Sequence, residues 1–278
     1  MSNLTKHLQA LSSAPFSLCQ TNGVFYYRAD TIEILHGFST RLGGVSEMPH
    51  LASLNLAYGR GDDASVVEEN QAIFLQAVFG TSDLSQMARA EQIHSATVRY
   101  AEKGGVYPPG DGFFTDIPEV ILTAKVADCV PILLYDPRKK LIAALHAGWR
   151  GTVAEIARKG VEALCEMGAD PYDIRAAVGT SIHACCYEVG EDFYQSVKDA
   201  CGEPFAERFV VPRKGSDGKF SADVAGMNHV ILQDAGVKAE HIAMSPLCTA
   251  CHADLFFSHR ASGGQRGTMM AAIMLPRS

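Results

Sequence analysis

Two side chains that can bind a metal or act as nucleophiles, Cys129 and His146, lie at the ends of two apolar segments. The segments, residues 130–135 and 141–145, are joined by the turn-like sequence DPRKK, which predicts a buried β-hairpin. If Cys129 pairs directly with His146, their Cβ atoms lie about 5 Å apart. That distance suits two ligands of one metal ion or a Cys/His nucleophile pair. The alternatives are a packed cysteine beside a hydrogen-bonded histidine, or a register slip that turns one side chain away.

A third metal ligand cannot be chosen by spacing alone, because the chain contains ten histidines. His94 falls within a predicted strand at 92–100, His183 lies in a glycine-bounded loop, and His36 ends a strand. Each of them also fits a structural histidine that is satisfied within the fold. The residues themselves therefore leave the third ligand open.

Two arginines stand close to glycines in patterns that favour anion binding. Arg41 precedes Gly43 and Gly44 in FSTRLGGVS, and glycines let the backbone approach a ligand closely. Arg150 lies in HAGWRG, where a tight turn before a helix would direct backbone N–H groups at an anion. A guanidinium can hold phosphate or carboxylate through two parallel hydrogen bonds. The alternative for Arg41 is an ordinary surface arginine on a hairpin.

The remaining cysteines give weaker signals. Cys248, Cys251 and His252 have the spacing of covalent haem attachment, but that chemistry requires export, and the N-terminal sequence does not resemble a signal peptide. A zinc knuckle would need two more ligands close in sequence, and these are absent. The adjacent Cys185 and Cys186 could bridge only through a strained ring. We therefore expect reduced thiols that serve packing.

Composition excludes several classes of function. The chain has 278 residues and a formal net charge of −7, without blocks of Lys or Arg, which disfavours nucleic-acid and anionic-membrane partners. No apolar run reaches the roughly 18 residues of a transmembrane helix. Walker A, dinucleotide-binding and G-x-S-x-G motifs are absent from the sequence. We expect a cytoplasmic protein that acts on a small molecule, and the sequence predicts no particular protein partner.

The order of elements predicts a single α+β domain in which mixed β-sheets are flanked by helices. We expect an N-terminal extension at residues 1–30 and one catalytic domain at residues 31–278. Helices are predicted after Asp63 to about Phe79, and at residues 152–167, 191–201 and 223–235. Strands are predicted near residues 33–38, 92–100, 119–124, 130–135, 141–146, 174–178, 252–259 and 268–274.

Several segments together resemble the YfiH family, also described as laccase-domain or multicopper polyphenol oxidase proteins and as purine nucleoside phosphorylases. They include STRLGGVS, SLNLAYGRGDD, EQIHS, ADCVPILLYD, AALHAGWRGT, CCYEVGEDF and DLFFSHR. The resemblance covers about residues 34 to 274. It implies a fold similar to that of YfiH and of the catalytic domain of cytotoxic necrotizing factor toxins.

The resemblance also implies a catalytic zinc ion held by His94, Cys129 and His146. Three protein ligands leave one coordination position for water or substrate, as in catalytic zinc sites. The implied activities are phosphorolysis of adenosine, inosine and methylthioadenosine, together with deamination of adenosine. On motif membership we expect substrate or phosphate contacts from Arg41, Asn55, Arg150 and Glu188.

Four alternatives remain at this stage. The older family description implies copper-dependent phenol oxidation, but a type-1 site plus a trinuclear cluster needs more imidazoles than these singly scattered histidines readily supply. A hydrolase that edits cell-wall precursors could use the same zinc. Cys129 could act as a nucleophile, as in the Cys/His deamidase toxins. The chain could also be a metal-stabilised binding module. The sequence departs from the family at Val126, His183 and Thr268, where relatives commonly have Thr, Gly-Pro and Arg respectively.

Overall fold

The computed structural model describes residues 14–277, which form short strands and helices. The strands are β1 (Phe16–Thr21), β2 (Val24–Ala29), β3 (His36–Ser39), β4 (Met87–Arg89), β5 (Val98–Tyr100), β6 (Gly105–Val106), β7 (Gly112–Thr115), β8 (Ile121–Val126), β9 (Val130–Asp136), β10 (Leu141–Ala147), β11 (Arg175–Val178), β12 (Glu188–Gly190), β13 (Val210–Pro212), β14 (Lys219–Ala222), β15 (Ile242–Met244) and β16 (Met269–Met274). The helices are α1 (Ala64–Phe79), α2 (Trp149–Val153), α3 (Ile156–Glu166), α4 (Glu191–Cys201), α5 (Glu203–Phe209) and α6 (Val224–Asp234), with 3₁₀ turns at Leu84–Gln86 and Ala239–His241.

The strands of this range form a seven-stranded sheet in the order β1-β2-β3-β16-β8-β4-β6 and a six-stranded sheet in the order β15-β11-β9-β10-β7-β5. A small sheet, β12-β14-β13, stands apart from them. Both large sheets contain parallel and antiparallel pairs. The chain is thus a single α+β domain with mixed sheets, as predicted. None of the helices between residues 14 and 277 is long and apolar enough to span a membrane.

Burial on both faces explains the uninterrupted apolar runs of β9 and β10. Leu133 and Ile142 face the core between the two large sheets, whereas Leu134 and Leu145 face a second core formed with helices α3 to α6. Helix α1 covers the outer face of the seven-stranded sheet through residues such as Phe74. A strand with core on both sides has no polar face, so it lacks the usual alternation.

The hairpin of β9 and β10 forms as predicted, but its register differs by two residues. His146 lies opposite Pro131, so the predicted direct pairing of Cys129 with His146 is wrong. The reason lies in the turn, where Asp136 accepts hydrogen bonds from the N–H groups of Arg138 (2.8 Å) and Lys139 (3.0 Å) and centres the connection on them. Because the side-chain period of a strand is two, this shift keeps both side chains on the same face.

Other differences follow from local backbone conformation. The predicted helix at 152–167 is divided into α2 and α3 at Glu155, which has a left-handed φ of 59°. His94 lies in a loop with a φ of 58°, outside any strand. The predicted strand at 252–259 is wrong, because this segment forms turns followed by irregular backbone.

The predicted N-terminal extension falls partly outside the described residues, at positions 1–13. Its remaining residues include β1 and β2, which pair with each other, and β2 pairs with β3 in the seven-stranded sheet. The division of the chain at residue 30 stays a prediction.

A buried amide organises the long loop between β3 and α1. Asn70, fully buried on α1, accepts the N–H of Val45 (2.8 Å) and donates to the hydroxyl of Ser46 (2.8 Å) and the carbonyl of Asn55 (3.1 Å). Gly44 allows this approach, since a Cβ there would lie 2.4 Å from the Asn70 oxygen. One side chain therefore replaces the backbone partners that a sheet would otherwise provide.

We expect Asn70→Ala to lower the free energy of unfolding by about 2–3 kcal/mol, because it leaves buried polar groups without partners. Urea-induced unfolding of the purified variant measures this loss. The matched control is Gln76→Ala, at an exposed position of the same helix, which should change stability by no more than about 0.5 kcal/mol. Equal stability of Asn70→Ala and the wild type would refute the role of the amide.

Candidate metal and substrate site

The site is built around Asp111, a buried residue immediately before β7. Its carboxylate accepts hydrogen bonds from three successive backbone N–H groups, those of Ile93 (3.3 Å), His94 (3.0 Å) and Ser95 (2.6 Å). The Ser95 hydroxyl donates a further bond of 2.7 Å. These bonds hold the loop that carries His94 in its left-handed turn.

The same carboxylate orients His146 at the end of β10. The Nδ1 atom of His146 lies 2.8 Å from Oδ1 of Asp111, which directs Nε2 towards Cys129. Burial works against charge on His146, yet the hydrogen bonds to Asp111 and Cys129 raise its pKa to about 9. Burial likewise opposes ionisation of Asp111, but its bonds to His146 and Ser95 lower its pKa to about 2. A carboxylate behind an imidazole is the usual support of a metal-binding histidine.

Cys129 completes a group that we call the His–Cys–His group: His94, Cys129 and His146. Their ligand atoms lie within 4.8 Å of one another, and the Cys129 sulfur is 3.8 Å from Nε2 of His94. Burial raises the pKa of the Cys129 thiol, but hydrogen bonds to His146 and His94 outweigh it and lower the pKa to about 6. The thiolate is therefore available at neutral pH.

The glycines of HAGWRG make room for this group. A Cβ on Gly148 would lie 2.6 Å from Cδ2 of His94 and 3.5 Å from the Cys129 sulfur. A Cβ on Gly151 would lie 2.7 Å from the carbonyl oxygen of Ser95. Both positions are small because the 93–95 loop packs directly on the turn into α2.

The group fits a metal ion by its donor chemistry. It offers two imidazole nitrogens and one thiolate, a set that suits zinc and other borderline metals. Three donors do not close a tetrahedral site, so one position remains for a small molecule. The identity of the metal does not follow from the donors alone.

Two cavities meet at the His–Cys–His group. A cavity of about 320 Å³ has apolar and aromatic walls that include Trp149 and Tyr187, and cationic side chains of Arg150, Arg260 and Arg266. A second cavity, of about 210 Å³, is lined by other polar and charged side chains, including Arg60 and Lys125. His94, Ala127, Cys129 and Arg266 line both cavities.

Of the residues predicted to contact substrate, Arg150 is the one that lies in the larger cavity with His94 and Cys129. The guanidinium of Arg41 donates to the carbonyls of Ala52, Pro49 and Ala253, and it lines a different cavity. A contact of Arg41 with phosphate stays a prediction.

Asn55 and Glu188 have structural partners. The Asn55 amide is fully buried and donates to Asp62 (2.8 Å), and its carbonyl oxygen accepts the N–H of Thr268 (3.0 Å). The Glu188 carboxylate faces Arg213 at 3.4 Å. Contacts of Asn55 and Glu188 with substrate likewise stay predictions.

Sequence reasoning missed Asp111 and Arg260, and it singled out Arg266 only as the arginine nearest to the family's Gly-Arg position. Asp111 was part of a glycine- and proline-rich loop, and only its proximity in space to His146 reveals its role. Arg260 and Arg266 lie in the C-terminal segment that also supplies His259 to the cavity. Arg266 lines the cavity and directly precedes Gly267. An arginine is therefore present there, although the order is Arg-Gly and not the Gly-Arg order common in the family.

Comparisons with known proteins agree with this architecture. A family model described as "Multi-copper polyphenol oxidoreductase laccase" matches residues 35–276. A purine nucleoside phosphorylase of Deinococcus radiodurans is 40% identical over 256 residues, which cover 92% of this chain and 94% of that protein. Adenosine deaminase RL5, from an unknown prokaryotic organism, is 33% identical over 88% of this chain and 95% of that protein. These names imply small-molecule substrates.

A solved structure gives the same result for the fold. The crystal structure of the hypothetical protein YfiH from Bacillus licheniformis superposes with a TM-score of 0.86 and 29% sequence identity. The match covers 95% of this chain and all of that one.

In metal-free protein, we expect alkylation of Cys129 by iodoacetamide to rise with pH through a midpoint near 6, because the lowered pKa means that thiolate forms above that pH. Asp111→Asn should move the midpoint upward, since His146 loses the charge that favours its imidazolium form. Peptide mass spectrometry at Cys129 measures the rate. The control is Asp116→Asn, an exposed carboxylate just after β7, and an unshifted midpoint in Asp111→Asn would refute the coupling.

Proposed function

The chain belongs to the multi-copper polyphenol oxidoreductase laccase family, is an enzyme, and, we propose, acts as a zinc-dependent purine nucleoside phosphorylase that also deaminates adenosine. The proposed substrates are adenosine, inosine and methylthioadenosine, and the proposed compartment is the cytoplasm. The names of its relatives support both activities. Copper is the alternative metal.

One observation carries the proposal. The three donors of the His–Cys–His group are incomplete as a metal site, and they lie where two cavities with cationic walls meet. A closed site would serve stability, whereas an open one beside a cavity serves chemistry. Cavities of this kind suit a nucleoside with an anionic second substrate.

His94, Cys129 and His146 would hold the metal, with Asp111 fixing the orientation of His146. When bound, zinc supplies Lewis acidity and lowers the pKa of coordinated water to about 7. That water is the nucleophile that deamination at purine C6 requires. In the metal-free protein, the Cys129 thiol is already ionised at neutral pH, because its pKa is about 6. His146, whose pKa is about 9, would release its proton when the metal binds, since a histidine ligates a metal only through a neutral ring nitrogen.

Phosphorolysis needs cations that position phosphate below the ribose C1′, where positive charge develops as the bond to the base breaks. Arg150, Arg260 and Arg266 supply these charges around the larger cavity. The buried Nε of Arg266 has no hydrogen-bond acceptor among the described residues, although Nη1 of the same guanidinium donates to the Thr268 hydroxyl at 2.7 Å. A buried donor without a partner favours an anionic ligand at this position.

The apolar part of the same cavity suits the purine base. Trp149 and Tyr187 contribute aromatic surface, and Val130, Ile182 and Val224 contribute aliphatic surface. A flat aromatic ring can stack or pack there, while its ribose lies towards the arginines.

Phenol oxidation by several copper ions fits the donors less well. Among residues 14–277, the groups that could hold a metal are the His–Cys–His group and a set of four cysteines. A trinuclear copper cluster is built from imidazoles, and two histidines at one site do not form it. This argues for a mononuclear site, as the proposal requires.

We expect protein purified without added metal to convert adenosine to adenine when phosphate is present, and to inosine when phosphate is absent. Chromatography of the products, with zinc and copper quantified in the same sample, measures both activities. Cys129→Ala should lose both, because it removes a metal ligand. Bound zinc with intact adenosine would overturn the proposed substrate and make cell-wall precursors the next compounds to assay.

We expect Arg266→Gln to lower kcat/KM for phosphate about 10- to 100-fold, the loss expected for a charge-assisted hydrogen bond. Deamination in the absence of phosphate should change less. Arg138→Gln, on the exposed turn between β9 and β10, is the matched control. An equal loss of both activities in Arg266→Gln would contradict a role in phosphate binding.

A further inference from the structure

Four cysteines from two distant segments meet at one point of the fold. Cys185 and Cys186 precede β12, and Cys248 and Cys251 follow β15. Their sulfur atoms all lie within 4.8 Å of one another, and that of Cys251 lies 3.5 Å from Cys185 and 3.4 Å from Cys186. The two ligands that a zinc knuckle around Cys248 and Cys251 lacks nearby in sequence are therefore supplied from more than sixty residues away. We call this set the four-cysteine cluster.

The spacing matches one tetrahedral ion. Zinc–sulfur bonds of about 2.3 Å at tetrahedral angles put the sulfur atoms about 3.8 Å apart. The closest contacts in the cluster are slightly shorter than this, and all remain far longer than a disulfide bond of about 2 Å. An iron–sulfur cluster of several metal atoms needs wider spacing of its thiolates than a single ion does.

The backbone holds both segments in place. A bridge joins Ser181 and Cys248, and the N–H of Thr249 donates to the carbonyl of Ser181 at 2.9 Å. The N–H of His183 points at the Cys248 sulfur at 3.4 Å, and the N–H of Cys186 closes a turn onto the His183 carbonyl at 2.9 Å. An N–H group directed at a sulfur is a common support of a metal thiolate, because it offsets the negative charge.

We propose that the four-cysteine cluster binds one zinc ion as a closed, structural site. Four sulfur donors in tetrahedral reach select zinc or a single iron over harder metals. All four positions are filled by protein, so the ion has no place for a substrate and contributes to stability. Cys185 and Cys251 are exposed, which gives the ion a path from solvent.

The cluster stabilises one wall of the larger cavity. Its two segments meet Asp128, whose carboxylate accepts the hydroxyl of Thr249 (2.6 Å) and the N–H of Arg260 (2.7 Å) and whose carbonyl accepts the N–H of Ile182 (2.9 Å). Ile182, Tyr187 and Arg260 line the cavity. A metal that joins the segments therefore fixes cavity residues without touching a substrate, and this inference does not depend on which substrate the enzyme uses.

The test is the zinc content of protein purified in the reduced state, measured by plasma mass spectrometry. We expect two zinc ions per chain in the wild type, one in Cys251→Ser, one in Cys129→Ala and none in the double variant. Cys251→Ser should also unfold at a lower temperature. Cys201→Ser, a free cysteine on α4, is the control and should keep both ions. Equal zinc content in Cys251→Ser and the wild type would overturn the proposal.

A second measurement decides the case if Cys251→Ser fails to fold. Metal-free Cys129→Ala protein, in which the His–Cys–His group is disabled, is titrated with cobalt(II). Intense sulfur-to-cobalt charge-transfer bands with tetrahedral d–d bands, at one equivalent, would support the site. Absence of those bands, a disulfide among the four cysteines found by alkylation and mass spectrometry, or iron in place of zinc would overturn it.

Discussion

The site depends on one buried anion, the carboxylate of Asp111. Burying a charge is costly unless partners replace water, and here three backbone N–H groups, a hydroxyl and an imidazole do so. Its low pKa is the consequence. The carboxylate joins the 93–95 loop, the start of β7 and the end of β10, so the positions of His94 and His146 are set by the same group. Neither histidine can shift without breaking a bond to it.

That arrangement creates a chain of charges from carboxylate to imidazole to thiolate. The same chain could activate Cys129 as a nucleophile, which is the alternative for a Cys/His pair. Two features favour a metal. A second imidazole, that of His94, approaches the Cys129 sulfur from another segment, and a Cys/His nucleophile pair does not require a second histidine. Gly148 also leaves space for that ring where any side chain would displace it. Both features are explained by three ligands that converge on one ion.

The sequence predicted the parts of this site that depend on local patterns. Strands β9 and β10 were predictable because burial on both faces leaves a continuous apolar run, and Cys129 and His146 lie beside them. The register of these two strands was not predictable, since it depends on how the Asp136 side chain caps the turn between them. His94 came from family resemblance, because a left-handed loop residue has no periodic signal. Residues 252–259 were wrongly predicted as a strand. Phe256 and Phe257 are buried, as in a strand, but the carbonyl of His252 accepts two N–H groups and closes turns.

Long-range contacts explain why the sequence revealed neither the role of Asp111 nor the four-cysteine cluster. The bonds of Asp111 to His146 and the meeting of four cysteines link residues that no window of sequence contains together. The two groups also differ in a way that spacing could not indicate. One has three donors, a buried carboxylate behind it and two cavities in front. The other has four donors, backbone support and a link through Asp128 to one wall of the larger cavity. Because ligand number decides whether a tetrahedral ion can bind anything else, the first group suits catalysis and the second suits stability.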